Sequence, residues 1–215
     1  TVGCSAVELR GISAPRLPAG RETAARGLDR AACRVHQVVL ACEVADHNRA
    51  ARGSVTTMTI VAETADVTVR EAVPDDVPQI AEMIHALAQN EGHDGAVFAT
   101  TDSVTRLLFP ESIGLRANTP TGKPAVFCLV VDDPAGSGLL LGMAIWYVNV
   151  STWEARYGIH LEDLFVRPEA RGLGVGKALV MTLAALADDN DYARVEWAVR
   201  DSNEHARAFY RSLQA

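Results

Sequence analysis

Residues 160–177 read HLEDLFVRPEARGLGVGK, and this stretch decides the fold class. Its apolar first part, as far as Val166, predicts a strand, and after a short connection Gly172, Gly174 and Gly176 lead into a helical pattern. Glycines remove Cβ atoms where backbone N–H groups approach a ligand, and a helix N-terminus adds a positive dipole end. A strand, a glycine-rich turn and a helix in this order are therefore typical of a site for an anion such as a pyrophosphate.

Two common phosphate motifs do not fit this turn. A P-loop needs glycine at 171 and serine or threonine at 178, where this sequence has Arg171 and Ala178. A dinucleotide fingerprint needs glycine at 177, where Lys177 stands, and an acidic residue at the end of a second parallel strand, which is missing. What remains is the pattern Arg-x-x-Gly-x-Gly, with a simple tight connection as the alternative.

Strand and helix patterns alternate along the chain from Met58 onward, which predicts an α/β fold in one domain. The expected strands are 67–70, 125–131, 139–148, 159–166 and 194–200, and the expected helices are 77–90, 101–109, 174–188 and 203–213. Between the second and third strands lies the turn sequence DDPAGSG at 132–138, so we expect these two strands to form a hairpin.

Residues 1–57 differ in composition from the rest of the chain. They contain eight Arg, no Lys and no aromatic residue, and all 12 Phe, Trp and Tyr residues lie at or beyond Phe98. Little large apolar surface is available there to offset the entropy of ordering. We therefore expect residues 1–57 to be an extension of low order and residues 58–215 to be the domain.

Charge and cysteine usage restrict the class of function. Of 20 basic and 27 acidic residues, the extension holds eight and five, which leaves 12 and 22 in residues 58–215. An acidic domain disfavours nucleic acid and suits cationic small molecules or basic peptides. No run approaches the roughly 18 apolar residues of a membrane span. Only one of the four cysteines, Cys128, lies in the domain, and no zinc spacing is present, so we expect no metal and a reducing cytoplasm.

In this context the segment from Arg171 to Gly176 resembles the coenzyme A motif of the GNAT superfamily of N-acetyltransferases. The similarity covers about residues 65–215 and is strongest, by motif, to the spermidine/spermine (diamine) N-acetyltransferases. Further motifs support it, and these are LEDLFV at 161–166, Asn203-Glu204, Phe209-Tyr210, Trp146-Tyr147 with Trp153, and the segment from 69 to 91.

The resemblance implies a fold, a reaction and a partner. The fold is a mixed, mostly antiparallel sheet flanked by helices. The reaction moves acetyl from acetyl-CoA, the co-substrate, to a primary amine of a small molecule, with a diamine or polyamine expected first. The alternatives are an amino acid such as a lysine analogue, or a non-catalytic coenzyme A-binding regulatory module. A homodimer is also implied.

The resemblance also assigns residues to the site. It places the coenzyme against Leu164, Phe165, Val166, Arg171, Gly172, Leu173, Gly174, Val175, Gly176, Lys177, Asn203, Glu204, His205 and Ala206. It places the amine near Asn90, Glu91, Glu162, Glu196, Trp197, Ala198 and Val199. It makes Tyr210 the proton donor.

Acetyl transfer to an amine requires a proton acceptor and a proton donor, independently of the family resemblance. An alkyl ammonium has a pKa of about 10.4 and must lose a proton before it attacks a thioester, which a carboxylate can accept. We take Glu162 as the candidate base. A departing thiolate is a better leaving group when protonated, which the Tyr210 hydroxyl could do. Cys128 lies in the apolar run FCLVV and is expected to be a core thiol.

The chain also departs from the family pattern. The family continues after the closing helix with about two further strands, whereas this sequence stops at Ala215. We therefore expect a sheet that lacks its last strands, with residues 194–200 left as an exposed edge.

Overall fold

The structure is a computed structural model, and it describes residues 4–11, 35–42, 57–62, 65–92 and 97–213. The strands are β1 Cys4–Gly11, β2 Val35–Cys42, β3 Thr57–Ala62, β4 Ala65–Glu71, β5 Val126–Asp132, β6 Leu140–Ser151, β7 Arg156–Val166 and β8 Arg194–Arg200. The helices are α1 Val77–Asn90, α2 Thr101–Leu108, α3 Val175–Asp189 and α4 Glu204–Ser212.

The strands form one sheet in the order β1-β2-β8-β7-β6-β5-β4-β3. Each pair of neighbours is antiparallel except β7 and β8, which run parallel. The expected hairpin of β5 and β6 is present, with Phe127 opposite Trp146. The expected α/β class and the mixed, mostly antiparallel sheet with flanking helices are therefore confirmed, and β3 is a strand that the sequence patterns missed.

Helices cover both faces of the sheet, which explains the unbroken apolar runs in its central strands. Leu129 and Val131 of β5 face the core under α3, together with Leu179 and Leu183. The alternate residues of β5 face the core under α1 and α2, and that core includes Ile80, Met83, Val104, Cys128, Val130 and Met143. Cys128 is buried, and this burial raises the pKa of its thiol, as expected for a core residue rather than a nucleophile.

One ion-pair cluster fixes the start of α1, the helix that carries part of the site. Arg70 on β4 contacts Asp76 at 2.6 Å and Asp132 on β5 at 2.8 Å. Asp76 also accepts a hydrogen bond from the backbone N–H of Val73 at 2.8 Å. Burial opposes ionisation of Asp76, but the bonds from Arg70 and Val73 outweigh it and lower the pKa of the carboxyl.

The edge of the sheet at β8 differs from the expectation. Residues 194–200 are not an exposed edge, because β2 pairs antiparallel with β8 from Val35 opposite Arg200 to Ala41 opposite Arg194. Strand β1 then pairs with the other side of β2. Two stretches of the 1–57 extension are thus strands of the sheet. The expectation of low order for the rest of the extension concerns residues that lie largely outside the described part of the chain.

Candidate active site

A bulge in β7 opens the sheet near its centre. The register between β6 and β7 shifts there, so that Ile145 lies opposite Asp163 while the next residue, Trp146, lies opposite Leu161. Glu162 is the extra residue of this bulge. Strand β8 pairs with β7 only from Ile159 to Leu161, so beyond Leu161 the two parallel strands separate. The end of β7 therefore keeps backbone groups that no neighbouring strand uses on the β8 side.

The glycine-rich turn lies directly after this open strand end. Gly172 and Gly174 have φ values of +79° and +84°, in the left-handed region that favours glycine, and Gly174 is the N-cap of α3. Gly176 has a different reason: a Cβ atom there would lie 3.2 Å from Cζ of Phe209, so glycine lets α4 approach α3 closely. The turn thus presents the N-terminus of a long helix to the space beside β7, as an anion site requires.

A cleft of about 590 Å³ lies between the end of β7, the turn, α4 and the end of α1. Most residues expected to hold the coenzyme line it, and these are Leu164, Phe165, Val166, Arg171, Gly172, Gly174, Val175, Gly176, Lys177, Asn203, His205 and Ala206. Leu173 is exposed and does not line it. Glu204 lies in a neighbouring cleft instead. The side chain of Asn203 accepts a hydrogen bond from the N–H of Ala206 at 3.0 Å and so caps α4, as expected.

Tyr210 on α4 lines the inner wall of the cleft. Its ring stacks on Trp197 with a centroid distance of 4.6 Å, which fixes its orientation. Burial raises the pKa of Tyr210, and the nearby charges of Glu91 and Asp163 raise it further. The hydroxyl therefore stays protonated at neutral pH and can act as a proton donor.

Asp163 is a functional candidate that the sequence analysis missed. Burial raises the pKa of Asp163 from 3.8 to about 6, and the charges of Glu162 and Glu91 contribute. A carboxyl with this pKa is ionised at pH 7 and yet is a better proton acceptor than an ordinary aspartate. The charge of Asp163 contributes to the raised pKa of Tyr210, so the candidate base is close enough to act electrostatically on the candidate acid.

Glu162, the base expected from the sequence, has a different environment. Its side chain is 58% exposed, and its Oε2 lies 3.8 Å from Nε2 of His160. Its exposure leaves this carboxylate in contact with water, whereas Asp163 is partly buried. The bulge explains why the sequence did not separate the two: the shift in register cannot be read from alternation within the strand.

The other residues expected near the amine divide into two groups. Asn90 and Glu91, where α1 ends, line the cleft. Glu196, Trp197, Ala198 and Val199 do not line this cleft or the neighbouring one. Glu196 is buried and bonded to Arg194 at 2.7 Å, Trp197 and Val199 lie in the core, and Ala198 is exposed. Of this strand segment, only Trp197 touches the candidate site, through Tyr210.

The described residues bear on metal binding and on membrane crossing. No group of three or more His, Cys, Asp or Glu side chains is arranged there to hold a metal ion. Within the same part of the chain, no helix combines the length and the apolar character that crossing a bilayer requires.

Comparison with known proteins identifies the family to which a chain with this geometry belongs. The model of the Acetyltransferase (GNAT) family matches residues 97–214, which include the bulged strand, the glycine turn and α4. The chain belongs to the GNAT acetyltransferase family. It is therefore an acyl-CoA-dependent N-acetyltransferase, and the family uses acetyl-CoA as co-substrate. The left-handed turn and the α3 N-terminus fit the phosphates of such a co-substrate.

Several named GNAT relatives resemble the chain over most of its domain. A thialysine N-epsilon-acetyltransferase of Caenorhabditis elegans is 32% identical over 64% of this chain and 75% of its own length. The pig (Sus scrofa) enzyme of the same name is 32% identical over 70% and 85%. An L-ornithine N5-acetyltransferase of Arabidopsis thaliana is 27% identical over 68% and 78%. A human spermidine/spermine N(1)-acetyltransferase-like protein is 27% identical over 55% of this chain but 16% of its own length.

Solved structures of GNAT-type proteins share the fold. An aminoglycoside acetyltransferase from a soil metagenome superposes with a TM-score of 0.54 at 15% identity, over 69% of this chain and 88% of that one. A ribosomal-protein-alanine N-acetyltransferase of Brucella melitensis gives 0.51 at 18% identity, over 69% and 91%. At these identities the likeness shows the fold alone.

Proposed function

We propose that this acetyltransferase transfers the acetyl group of acetyl-CoA to the terminal amine of a small amino acid with a cationic side chain, such as a lysine or ornithine analogue. One observation carries the proposal: Tyr210, whose hydroxyl stays protonated at neutral pH, lines the glycine-turn cleft, and the negative charges of Glu91 and Asp163 act on it. Acetylation of an amine needs a proton acceptor and a proton donor, and Asp163 and Tyr210 are the candidates for these two roles.

The roles of the two groups follow from the protons that must move. The terminal amine arrives as an ammonium with a pKa of about 10.4, and the ionised Asp163 accepts one of its protons. The acetyl thioester supplies the electrophile. Tyr210 donates its proton to the departing sulfur, and its stacking on Trp197 keeps the hydroxyl in place. The nitrogen loses its second proton as the amide forms, and this proton restores the Tyr210 hydroxyl. The unused backbone groups at the end of β7 are available to bind and orient the acyl carrier.

The choice of amine class rests on charge and on the named relatives. Glu91, Glu162 and Asp163 provide negative charge for an ammonium, which a diamine and an amino acid side chain both carry. The similarity to thialysine and ornithine acetyltransferases favours the amino acid. A diamine or polyamine, expected first from the sequence motifs, is the second candidate, because the same acidic groups would also attract its ammonium ions.

The experiment is a panel of matched amines assayed with acetyl-CoA by release of free thiol. Thialysine, lysine and ornithine are compared with spermidine and with cadaverine and putrescine, which are lysine and ornithine without the carboxylate. We expect the highest kcat/KM for an amino acid. A higher value for a diamine or polyamine would favour the second candidate. No thiol release with any amine, together with a rise in melting temperature on adding coenzyme A, would indicate a binding module.

A further inference from the structure

A second cleft of about 370 Å³ adjoins the one already described. The two share Asn90, Glu91, Asn203 and His205, so they are continuous along the ends of α1 and α4. The remaining lining residues of the second cleft are Arg200, Ser202 and Glu204. A small molecule whose amine lies near Tyr210 in the first cleft would therefore extend its other end past Glu91 into this outer cleft.

The outer cleft carries one positive and one negative group side by side. Arg200, the last residue of β8, has its Nε 3.6 Å from Oε2 of Glu91. The side chains are 37% and 30% exposed, so each of them also reaches the space of the cleft. A guanidinium presents a planar fork of donors that matches a carboxylate, and a carboxylate accepts from an ammonium. An α-amino acid head group carries both of these charges on adjacent bonds.

We infer that Arg200 is the specificity-determining residue that recognises the α-carboxylate of the substrate, with Glu91 beside it to accept the α-ammonium. This inference rests on the proposed function and deepens it. The far end of a lysine-like substrate is held at Arg200, and its terminal amine lies at the inner end of the main cleft. A diamine presents a second ammonium where Arg200 stands, so the same residue selects against diamines by charge repulsion.

Two other roles for Arg200 give different results. If Arg200 only ties β8 to the end of α1 through Glu91, its loss lowers stability and affects every amine equally. If it contacts a phosphate of the coenzyme, its loss raises the KM for acetyl-CoA whatever the amine. Only the third role, recognition of a carboxylate, makes the loss of activity depend on whether the amine substrate carries a carboxylate.

The test compares lysine with cadaverine in the wild-type chain and in Arg200→Gln. We expect kcat/KM for lysine to fall about 10- to 100-fold, mainly through KM, as for the loss of a charge-assisted hydrogen bond. For cadaverine, kcat/KM of the variant should stay within about threefold of wild type or rise, because the positive charge that repels its second ammonium is gone. Arg200→Lys keeps the charge without the fork and should recover part of the lysine activity. Arg211→Gln, an exposed substitution on α4 that lines neither cleft, is the matched control and should change neither amine.

The possible failures are distinguishable. Equal falls for lysine and cadaverine, no fall for lysine, or a raised KM for acetyl-CoA with both amines would overturn the role of Arg200 while leaving the acetyltransferase proposal standing. A wild-type chain that acetylates cadaverine far better than lysine, or that acetylates none of thialysine, lysine and ornithine, would overturn the proposed function and this inference together. A melting temperature measured for each variant separates loss of fold from loss of recognition.

Discussion

Tyr210 is a residue at which a single hydroxyl can be removed without disturbing the packing around it. Its ring stacks on Trp197 at 4.6 Å and contacts Phe209 at 5.1 Å, and phenylalanine retains both contacts. General acid catalysis by a placed side chain contributes about 10² to 10⁴ in rate. We therefore expect Tyr210→Phe to lower kcat and kcat/KM by a similar factor in this range, with acetyl-CoA affinity and melting temperature unchanged.

A matched control is Tyr157→Phe, because Tyr157 is 61% exposed and lines neither cleft. It should act as wild type. A folded Tyr210→Phe enzyme with a rate within about threefold of wild type would show that Tyr210 is a packing residue and that another group, or water, protonates the leaving sulfur.

Asp163 gives a prediction about pH, because its pKa of about 6 falls inside the range in which enzymes are assayed. Only the ionised carboxylate accepts a proton, so kcat/KM should rise as pH increases through about 6 and then level off. Asp163→Asn should remove this limb and most of the activity. Glu162→Gln should keep the limb and shift it to lower pH, since the Glu162 charge helps to raise the pKa of Asp163. Loss of the limb in Glu162→Gln alone would return the base role to Glu162.

The same carboxyl also affects stability, and with the opposite sign to activity. The folded pKa of Asp163 lies above its ordinary value of 3.8, so the folded state binds the proton more tightly than the unfolded state does between these pH values. Its contribution to stability is therefore lost as pH rises through about 6. Each pKa unit corresponds to about 1.36 kcal/mol, so Asp163→Asn should raise the free energy of unfolding by about 1 to 3 kcal/mol at pH 8 and by little at pH 4. Chemical denaturation at both pH values measures the difference.

For single residues, the sequence predicted which of them line the cleft more reliably than it predicted the burial and pKa of each side chain. Most residues expected to hold the coenzyme lie within the continuous stretch 164–177, so a correct motif places them together. The choice between Glu162 and Asp163 as the base depends on a bulge that pairs Asp163 with Ile145. The role inferred for Arg200 depends on its lying beside Glu91 in the outer cleft. Both facts are relations between distant segments, which local patterns do not contain.

Among the elements, the turn before α3 combines a left-handed backbone at Gly172 and Gly174 with a position on the wall of the cleft. Gly174 has φ +84° and lines the cleft, so valine there is strained and adds a side chain where we expect the phosphates of the coenzyme to bind. We expect Gly174→Val to lose the rise in melting temperature that coenzyme A gives the wild type. Gly136 is a matched control, because it has φ +73° in an exposed turn and a Cβ atom there has no neighbour within 4 Å.

The two glycine variants should therefore have similar backbone strain, and without ligand both should unfold at a lower temperature than wild type. With coenzyme A, only Gly136→Val should respond as wild type does. A Gly174→Val protein with the full ligand response would contradict the assignment of the turn to phosphate binding.

The elements of the domain were largely predictable because their patterns are strong and local. The FCLVV run and the DDPAGSG turn fixed β5, the hairpin and β6, and the spacing of Val77, Ile80, Ile84 and Leu87 fixed α1. Strand β3 was missed since Thr57–Ala62 is a short run at the boundary of the extension. Strand β2, VHQVVLAC, has three β-branched residues but no period-two alternation of apolar and polar residues and no aromatic residue, so its pattern did not predict a strand.

For the molecule as a whole, the open question is how the β8 edge of the sheet is protected. The family pattern led to the expectation of an exposed edge, whereas β2 pairs along β8 from Arg194 to Arg200. An unpaired strand presents a row of N–H and C=O groups that can recruit another chain. Strand β8 also carries Arg200 and, through Trp197, supports Tyr210, so its pairing bears on the site as well. The cytoplasmic location and the homodimer expected from the sequence stay predictions.

Deletion of residues 1–42 tests whether the N-terminal strands serve this purpose. The truncated protein loses β1 and β2, so the edge of β8 is free to pair with a second copy, and we expect a melting temperature lower by several degrees and concentration-dependent self-association in sedimentation experiments. Deletion of residues 1–11 is the control: it removes β1 but leaves β2 on β8, so the loss should be smaller and the mass should match that of the full chain. If removing residues 1–42 changes neither melting temperature nor mass, the composition argument prevails: a segment with no aromatic residue contributes too little buried surface to matter, and β8 must then be protected by its own charged ends, Arg194 and Arg200.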